Sequence, residues 1–63
     1  MGYRYYIASS YGEVFPYKRL KSAIKRAYRL AAYGMFGMFH DSCNDITFTH
    51  IDPLSAWYEG IQP

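Results

Sequence analysis

The sequence is poor in the features that usually stabilise a very small protein. It contains one cysteine, Cys43, so no internal disulfide can form. It also has no C-x-x-C or H-x-x-x-H pair, the spacings typical of structural zinc sites. Because a chain of 63 residues buries only about 60% of the surface that it exposes when unfolded, its stability must come from packing or from a partner. We expect a single compact domain over residues 1–63.

Motifs of catalysis and cofactor binding are also missing. No phosphate-binding glycine pattern, zinc-protease motif or nucleophile elbow occurs, and the only glutamates, Glu13 and Glu59, lie at opposite ends of the chain. Four residues of metal-ligand type lie in the second half: His40, Asp41, Cys43 and His50. Their spacing favours ordinary turn and strand residues over a metal site or a Cys–His nucleophile pair. The sequence therefore predicts a non-enzymatic protein with no catalytic residues, no cofactor and no metal.

Long apolar runs are absent as well. A membrane-spanning helix needs about 18 or more consecutive apolar residues, and the start of the chain lacks the apolar run of a secretory signal. The lone cysteine agrees with a reducing compartment. We therefore expect a cytoplasmic protein that does not engage a membrane.

Aromatic residues are what the chain has in excess. The composition is 51% hydrophobic and 21% aromatic, with eight tyrosines, which is too apolar for a disordered chain. So small a core cannot bury this many aromatic rings. Since Tyr, Trp, Met and Arg are enriched at the centres of protein interfaces, the excess predicts a surface that contacts a partner, which includes the option of a homodimer.

Hydrophobic periodicity predicts an α+β fold with a small antiparallel sheet. Alternating side chains indicate strands at 3–8 and 46–51, and a turn signal at 9–12 precedes a short returning strand at 13–15. Residues 35–40 are apolar without a clear period, which favours a partly extended, buried connection.

The clearest predicted element is one long amphipathic basic helix that begins at Pro16, runs for about sixteen residues and ends before Gly34. Its apolar face comprises Tyr17, Leu20, Ala23, Ile24, Ala27, Tyr28, Leu30 and Ala31. After a turn at 41–45, Asp52 and Pro53 resemble an N-cap and a first-turn proline, so a short C-terminal helix of one or two turns is expected, with Gly60 as its stop. A strand at 56–61 is the alternative.

Charge is divided unevenly between the two halves of the chain. Residues 1–33 hold all seven basic residues and one acid, whereas residues 34–63 hold four acids and no Lys or Arg. Six of the basic residues follow one another along the predicted helix without an acid among them: Lys18, Arg19, Lys21, Lys25, Arg26 and Arg29. Like charges three and four residues apart destabilise a helix. This face therefore either meets something negative or is neutralised by the acids of the second half.

The hypothesis that follows is a small binding module for a polyanionic partner, either a nucleic acid or a nucleic-acid-handling protein complex. The six basic residues and Tyr33 are its candidate contacts, and Tyr3, Tyr6 and Tyr11, if exposed, could also stack on bases. Two alternatives stay open. One is a protein–protein inhibitor or adaptor, of the kind that phages and mobile elements encode, which blocks a host protein through an aromatic and basic surface. The other is that the basic face is only solvated and keeps the protein soluble.

Overall fold

The computed structural model describes residues 2–61, which form a four-stranded antiparallel sheet and two helices. The elements, in chain order, are β1 (Tyr5–Ser9), β2 (Val14–Tyr17), α1 (Leu20–Ala32), β3 (Phe36–Asp41), β4 (Ile46–Phe48) and α2 (Ile51–Ile61). The strand order is β2-β1-β3-β4, so β1 and β3 are central. The predicted α+β class with an antiparallel sheet is confirmed.

Alternation along β1 separates the two faces of the sheet. Tyr5, Ile7 and Ser9 are buried, whereas Tyr6 and Ala8 point to the opposite side and are half-buried. The cross-strand partner of Ile7 on β3 is Phe39, which is fully buried. Both helices contribute to the core on this side through four buried residues of α1 and Leu54 of α2. The helices therefore lie on one face of the sheet.

Phe39 is the centre of an aromatic cluster. Its ring centroid lies 5.9 Å from those of Tyr5 and Trp57 and 6.2 Å from that of Phe48. The rings of Phe48 and Trp57 are 5.4 Å apart. Tilted contacts at these distances add about 0.5–1.5 kcal/mol each beyond the burial of area. The cluster joins β1, β3, β4 and α2 around one side chain.

The prediction that Pro16 begins the helix is wrong, because Pro16 and Tyr17 belong to β2. The Ser9 N–H donates to the Glu13 carbonyl at 2.8 Å. In an antiparallel ladder the backbone N–H and C=O groups of every second residue, here Phe15 and Tyr17, therefore also point towards β1. The backbone of Pro16 then points to the open edge of the sheet, where no N–H is needed. This position explains why a proline is accepted within the strand and why the returning strand is longer than predicted.

Helix α1 is consequently shorter than predicted and has 13 residues. Arg19 is its N-cap, with an extended backbone (φ −109°, ψ 137°) and a carbonyl that accepts from the Ala23 N–H at 3.1 Å. Lys18 and Arg19 therefore precede the helix instead of lying on it. At the other end, Gly34 follows the C-cap residue Tyr33 with φ +70°, which is the left-handed conformation expected after a helix.

The expected connection at 35–40 is wrong too, because β3 is a central strand that pairs with both β1 and β4. The pairing register of β3 with β1 shifts between Ala8 and Ser9, and Gly37 lies at this point. The extra residue interrupts the alternation of hydrophobic residues along β3, so the sequence shows no clear period there. A Cβ atom on Gly37 would lie 2.8 Å from the carbonyl oxygens of both Ala8 and Ser9. The residue is a glycine because the backbone of β1 passes too close for any side chain.

The second half contains three further corrections. β4 ends at Phe48 and not at Ile51, which is instead the first residue of α2. Asp52 therefore lies in the first turn of α2 and is not the N-cap, whereas Pro53 is in the first turn as predicted. The helix has 11 residues, continues through Gly60, and excludes the alternative strand at 56–61. Packing of Leu54 and Trp57 in the core outweighs the cost of about 1 kcal/mol for one glycine in a helix.

Candidate anion-binding groove

Four basic side chains of α1 line a single groove of about 330 Å³, which we call the α1 groove. Its lining residues are Tyr17, Lys21, Ser22, Lys25, Arg26 and Arg29. Residues four apart on a helix follow one another along one side, so Lys21, Lys25 and Arg29 form a row and Ser22 and Arg26 form the next. Tyr17 contributes from the adjacent edge strand. The groove thus combines ammonium, guanidinium and hydroxyl groups, all of which can donate hydrogen bonds to an anion.

Arg26 is held in place by two aromatic residues of β2. Its Nε donates a hydrogen bond of 2.9 Å to the Tyr17 hydroxyl, and its guanidinium carbon lies 4.3 Å from the ring centroid of Phe15. Among the described residues, its two terminal nitrogens donate to no protein acceptor. Because one edge of the fork is fixed and the other is free, Arg26 is pre-organised for an oxyanion.

Over residues 2–61, no acidic side chain lines the α1 groove or pairs with its cations. Within residues 2–61 the ion pair that forms is between Arg4 and Asp41, where Arg4 Nε lies 3.0 Å from Asp41 Oδ1. The first turn of α1 contains no acid, and its N-cap makes no side-chain hydrogen bond. In the part of the chain that the structure describes, the acids of the second half therefore form no ion pair with the basic face.

The remaining predicted contact residues are separate from the groove. Lys18 lies over the ring of Tyr3, 5.6 Å from its centroid, and Arg19 is exposed at the N-cap. Tyr33 is 73% exposed and lies just beyond the last turn of α1. The structure thus brings together Lys21, Lys25, Arg26 and Arg29, but not Lys18 or Arg19.

Sequence reasoning missed the contribution of β2 to this groove. Tyr17 was expected on the apolar face of the helix, and Phe15 only in a short returning strand. The alternation of Phe15 and Tyr17 about Pro16 is the signal that could have found them, because residues two apart share one face of a strand.

Of the four residues of metal-ligand type in the second half, His40, Asp41 and His50 lie within hydrogen-bonding distance of other side chains. His40 Nδ1 lies 2.8 Å from Thr47 Oγ1, and His50 Nδ1 lies 3.2 Å from Thr49 Oγ1. Cys43 is exposed with a free thiol. Over residues 2–61 no three side chains of the His, Cys, Asp and Glu types come together as a metal site would require.

Asp41 is fully buried and satisfied by four hydrogen bonds. Arg4 donates from Nε and from a terminal nitrogen (3.0 and 3.3 Å), Asn44 donates from its amide (3.0 Å), and Cys43 from its backbone N–H (3.1 Å). Burial alone would raise the pKa of Asp41, but these donors outweigh it and hold the pKa below the ordinary value for aspartate. Burial raises the pKa of the neighbouring Tyr5.

Comparison of the chain with protein-family models, with curated proteins and with solved structures gives no match. Among residues 2–61, neither helix has the length and apolar character that crossing a bilayer requires.

Proposed function

We propose that this protein is a non-enzymatic binding module that engages a polyanionic partner, a nucleic acid or a nucleic-acid-handling protein complex, through the α1 groove. The observation that carries the proposal is the convergence of four cations on one groove, with no acid beside them among the described residues. Lys18, Arg19 and Tyr33 flank this contact surface. The location that we propose is the cytoplasm.

The arrangement works against the stability of the helix. Lys21, Lys25 and Arg29 are spaced at i, i+4 and i+8, and each like-charged pair costs a few tenths of a kcal/mol. A bound polyanion would offset this repulsion by placing negative charge beside each cation. Each phosphate contact also releases condensed counterions from the nucleic acid, which favours binding. Four contacts correspond to a slope of about −3 in a plot of log affinity against log salt concentration.

Binding without catalysis is proposed because the groove is lined by cations and hydroxyl groups. Its lining has no carboxylate, histidine or thiol, the groups that most often act as general base or nucleophile. The positive groups and hydroxyls suit the recognition of an anion and its orientation.

A pair of charge-matched variants tests the proposal. The groove variant is Lys21→Gln with Lys25→Gln, and the control is Lys18→Gln with Arg19→Gln, which removes the same charge outside the groove. Fluorescence anisotropy with a labelled oligonucleotide at two salt concentrations measures affinity. We expect the groove variant to bind about tenfold or more weakly, with a salt slope reduced by about 1.4–1.8 for two lost contacts.

The control variant should lose less affinity, since it changes only the long-range field. Equal losses in the two variants would show that total charge and not the groove governs binding. Absence of binding by the unmodified protein at low salt would contradict the proposal outright.

The second candidate is the protein–protein inhibitor or adaptor, and the exposed tyrosines favour it. Tyr11 and Tyr33 are 75% and 73% exposed, and tyrosine is a frequent anchor at interfaces. A homodimer belongs to the same candidate. Sedimentation over a range of concentrations tests the dimer, and a monomer mass throughout would exclude it.

A further inference from the structure

The basic row of the α1 groove leads directly to an exposed aromatic ring. Lys21, Lys25 and Arg29 are each four residues apart on α1, with a rise of about 6 Å per step. This rise is close to the separation of neighbouring phosphates along one nucleic-acid strand. Tyr33, the C-cap, is four residues further on and lies just beyond the last turn. It is the only one of these four positions without a charge.

We infer that this row binds single-stranded nucleic acid, with successive phosphates at Lys21, Lys25 and Arg29 and a base stacked on Tyr33. The inference rests on the proposed function and adds the class of nucleic acid and a stacking residue. Positive grooves combined with aromatic platforms are the common means of binding single strands without sequence readout.

Backbone hydrogen bonds fix the position of Tyr33 at the end of the helix. Its N–H donates to the carbonyls of Arg29 (3.3 Å) and Leu30 (3.2 Å), so the residue is tied to the helix end. Gly34 then adopts φ +70° and Met35 N–H returns to the Leu30 carbonyl at 2.7 Å. The chain therefore turns away after Tyr33 and leaves its ring open to solvent.

Exposure of this ring favours a single strand over a duplex. In a duplex both faces of an internal base are covered by its neighbours, so only phosphates and groove edges are offered to a convex helix. In a single strand a base can leave the stack and cover an aromatic ring. The Arg26 guanidinium, fixed by Tyr17 and Phe15, supplies a further phosphate contact in the groove beside this row.

The test compares three probes of about 12 nucleotides: single-stranded oligothymidylate, its duplex with oligoadenylate, and an abasic strand with the same phosphates. Each is titrated against the unmodified protein, Tyr33→Ala, Tyr33→Phe and the control Tyr11→Ala, whose ring is equally exposed but lies in the β1–β2 turn. Tyr33→Ala should weaken binding of oligothymidylate by about fivefold or more, as loss of one stacked base predicts. Tyr33→Phe and Tyr11→Ala should bind normally.

Tyr33→Ala should leave affinity for the abasic strand and the duplex unchanged, because these probes offer no free base. Equal affinity of the unmodified protein for all three probes, or loss of oligothymidylate binding in Tyr11→Ala as much as in Tyr33→Ala, would overturn the inference. Such results would leave the polyanion proposal in place, since the latter fails only if the groove variant and its control behave alike or no probe binds.

Discussion

Charge is paired at the contact between β1 and β3, which we call the seam, and unpaired on the outer face of α1 in the described part of the chain. At the seam, buried Asp41 is bonded to Arg4, Asn44 and the Cys43 backbone. On α1, four cations share a groove with no carboxylate to pair with in the described part of the chain. The first arrangement is satisfied within the molecule, whereas the second leaves four cations without an ion pair over residues 2–61.

The difference predicts opposite effects of mutation. Changes at the seam should reduce stability and leave binding by the folded molecule intact. Changes on α1 should reduce binding at little cost to stability, or with a gain.

The largest effect is expected for Asp41→Ala. A hydrogen bond to a charged group contributes about 1.5–3 kcal/mol, and Asp41 accepts four of them. The net loss is smaller than their sum, because Arg4, with its side chain 41% exposed, can bond to water when Asp41 is removed. We expect the free energy of unfolding, measured in urea, to fall by about 3 kcal/mol. The control is Asp52→Ala, which removes an exposed carboxylate from the first turn of α2 and should cost under about 1 kcal/mol.

Gly37→Ala should be the next most damaging change. The added methyl would lie 2.8 Å from two backbone carbonyls of β1, and strand backbone cannot move aside cheaply. We expect a loss of about 1–3 kcal/mol, the usual cost of overpacking. Gly60→Ala is the matched control, because its Cβ would meet no atom within 4 Å and alanine is the better helix former. A destabilised Gly60→Ala would contradict this account.

The pH dependence of stability sharpens the contrast further. The pKa of Asp41 is lowered in the folded protein, so its stabilising contribution is complete above the unfolded value of about 3.9. It is lost as the pH falls from there through the folded pKa. Urea midpoints of the unmodified protein should therefore fall more steeply below about pH 4 than those of Asp41→Asn, and parallel curves would show that Asp41 contributes nothing to acid sensitivity.

The smallest effect has the opposite sign. Lys25→Glu turns the two repulsive i, i+4 pairs with Lys21 and Arg29 into attractive pairs, which should raise the free energy of unfolding by about 1 kcal/mol. The same variant should lose affinity for nucleic acid. Lys25→Ala, which removes repulsion without adding attraction, should fall between the two in stability. A destabilised Lys25→Glu would show that the lysine has a structural role.

Alternation and local charge were enough to predict the fold class, β1 and the cluster of Lys21, Lys25, Arg26 and Arg29 on one helix. The start of α1 was mispredicted because Pro16 suits both a first helical turn and an open sheet edge, and only the pairing with β1 decides between them. β3 was missed because Gly37 interrupts its hydrophobic pattern, and this glycine is needed only because β1, which is distant in sequence, passes close to it. The place of Tyr17 in the groove was missed for a similar reason, since its neighbour there, Arg26, belongs to another element.

The contact between Arg4 and Asp41 also has a consequence for the order of events in folding. These residues are 37 positions apart, and the contact forms only when β3 has paired with β1. Contacts between such distant positions form late, because closing the loop costs entropy before it is rewarded. Interactions that form after the transition state affect the rate of unfolding more than the rate of folding. We therefore expect the Arg4–Asp41 contact to slow the unfolding of the protein and to leave its folding rate nearly unchanged.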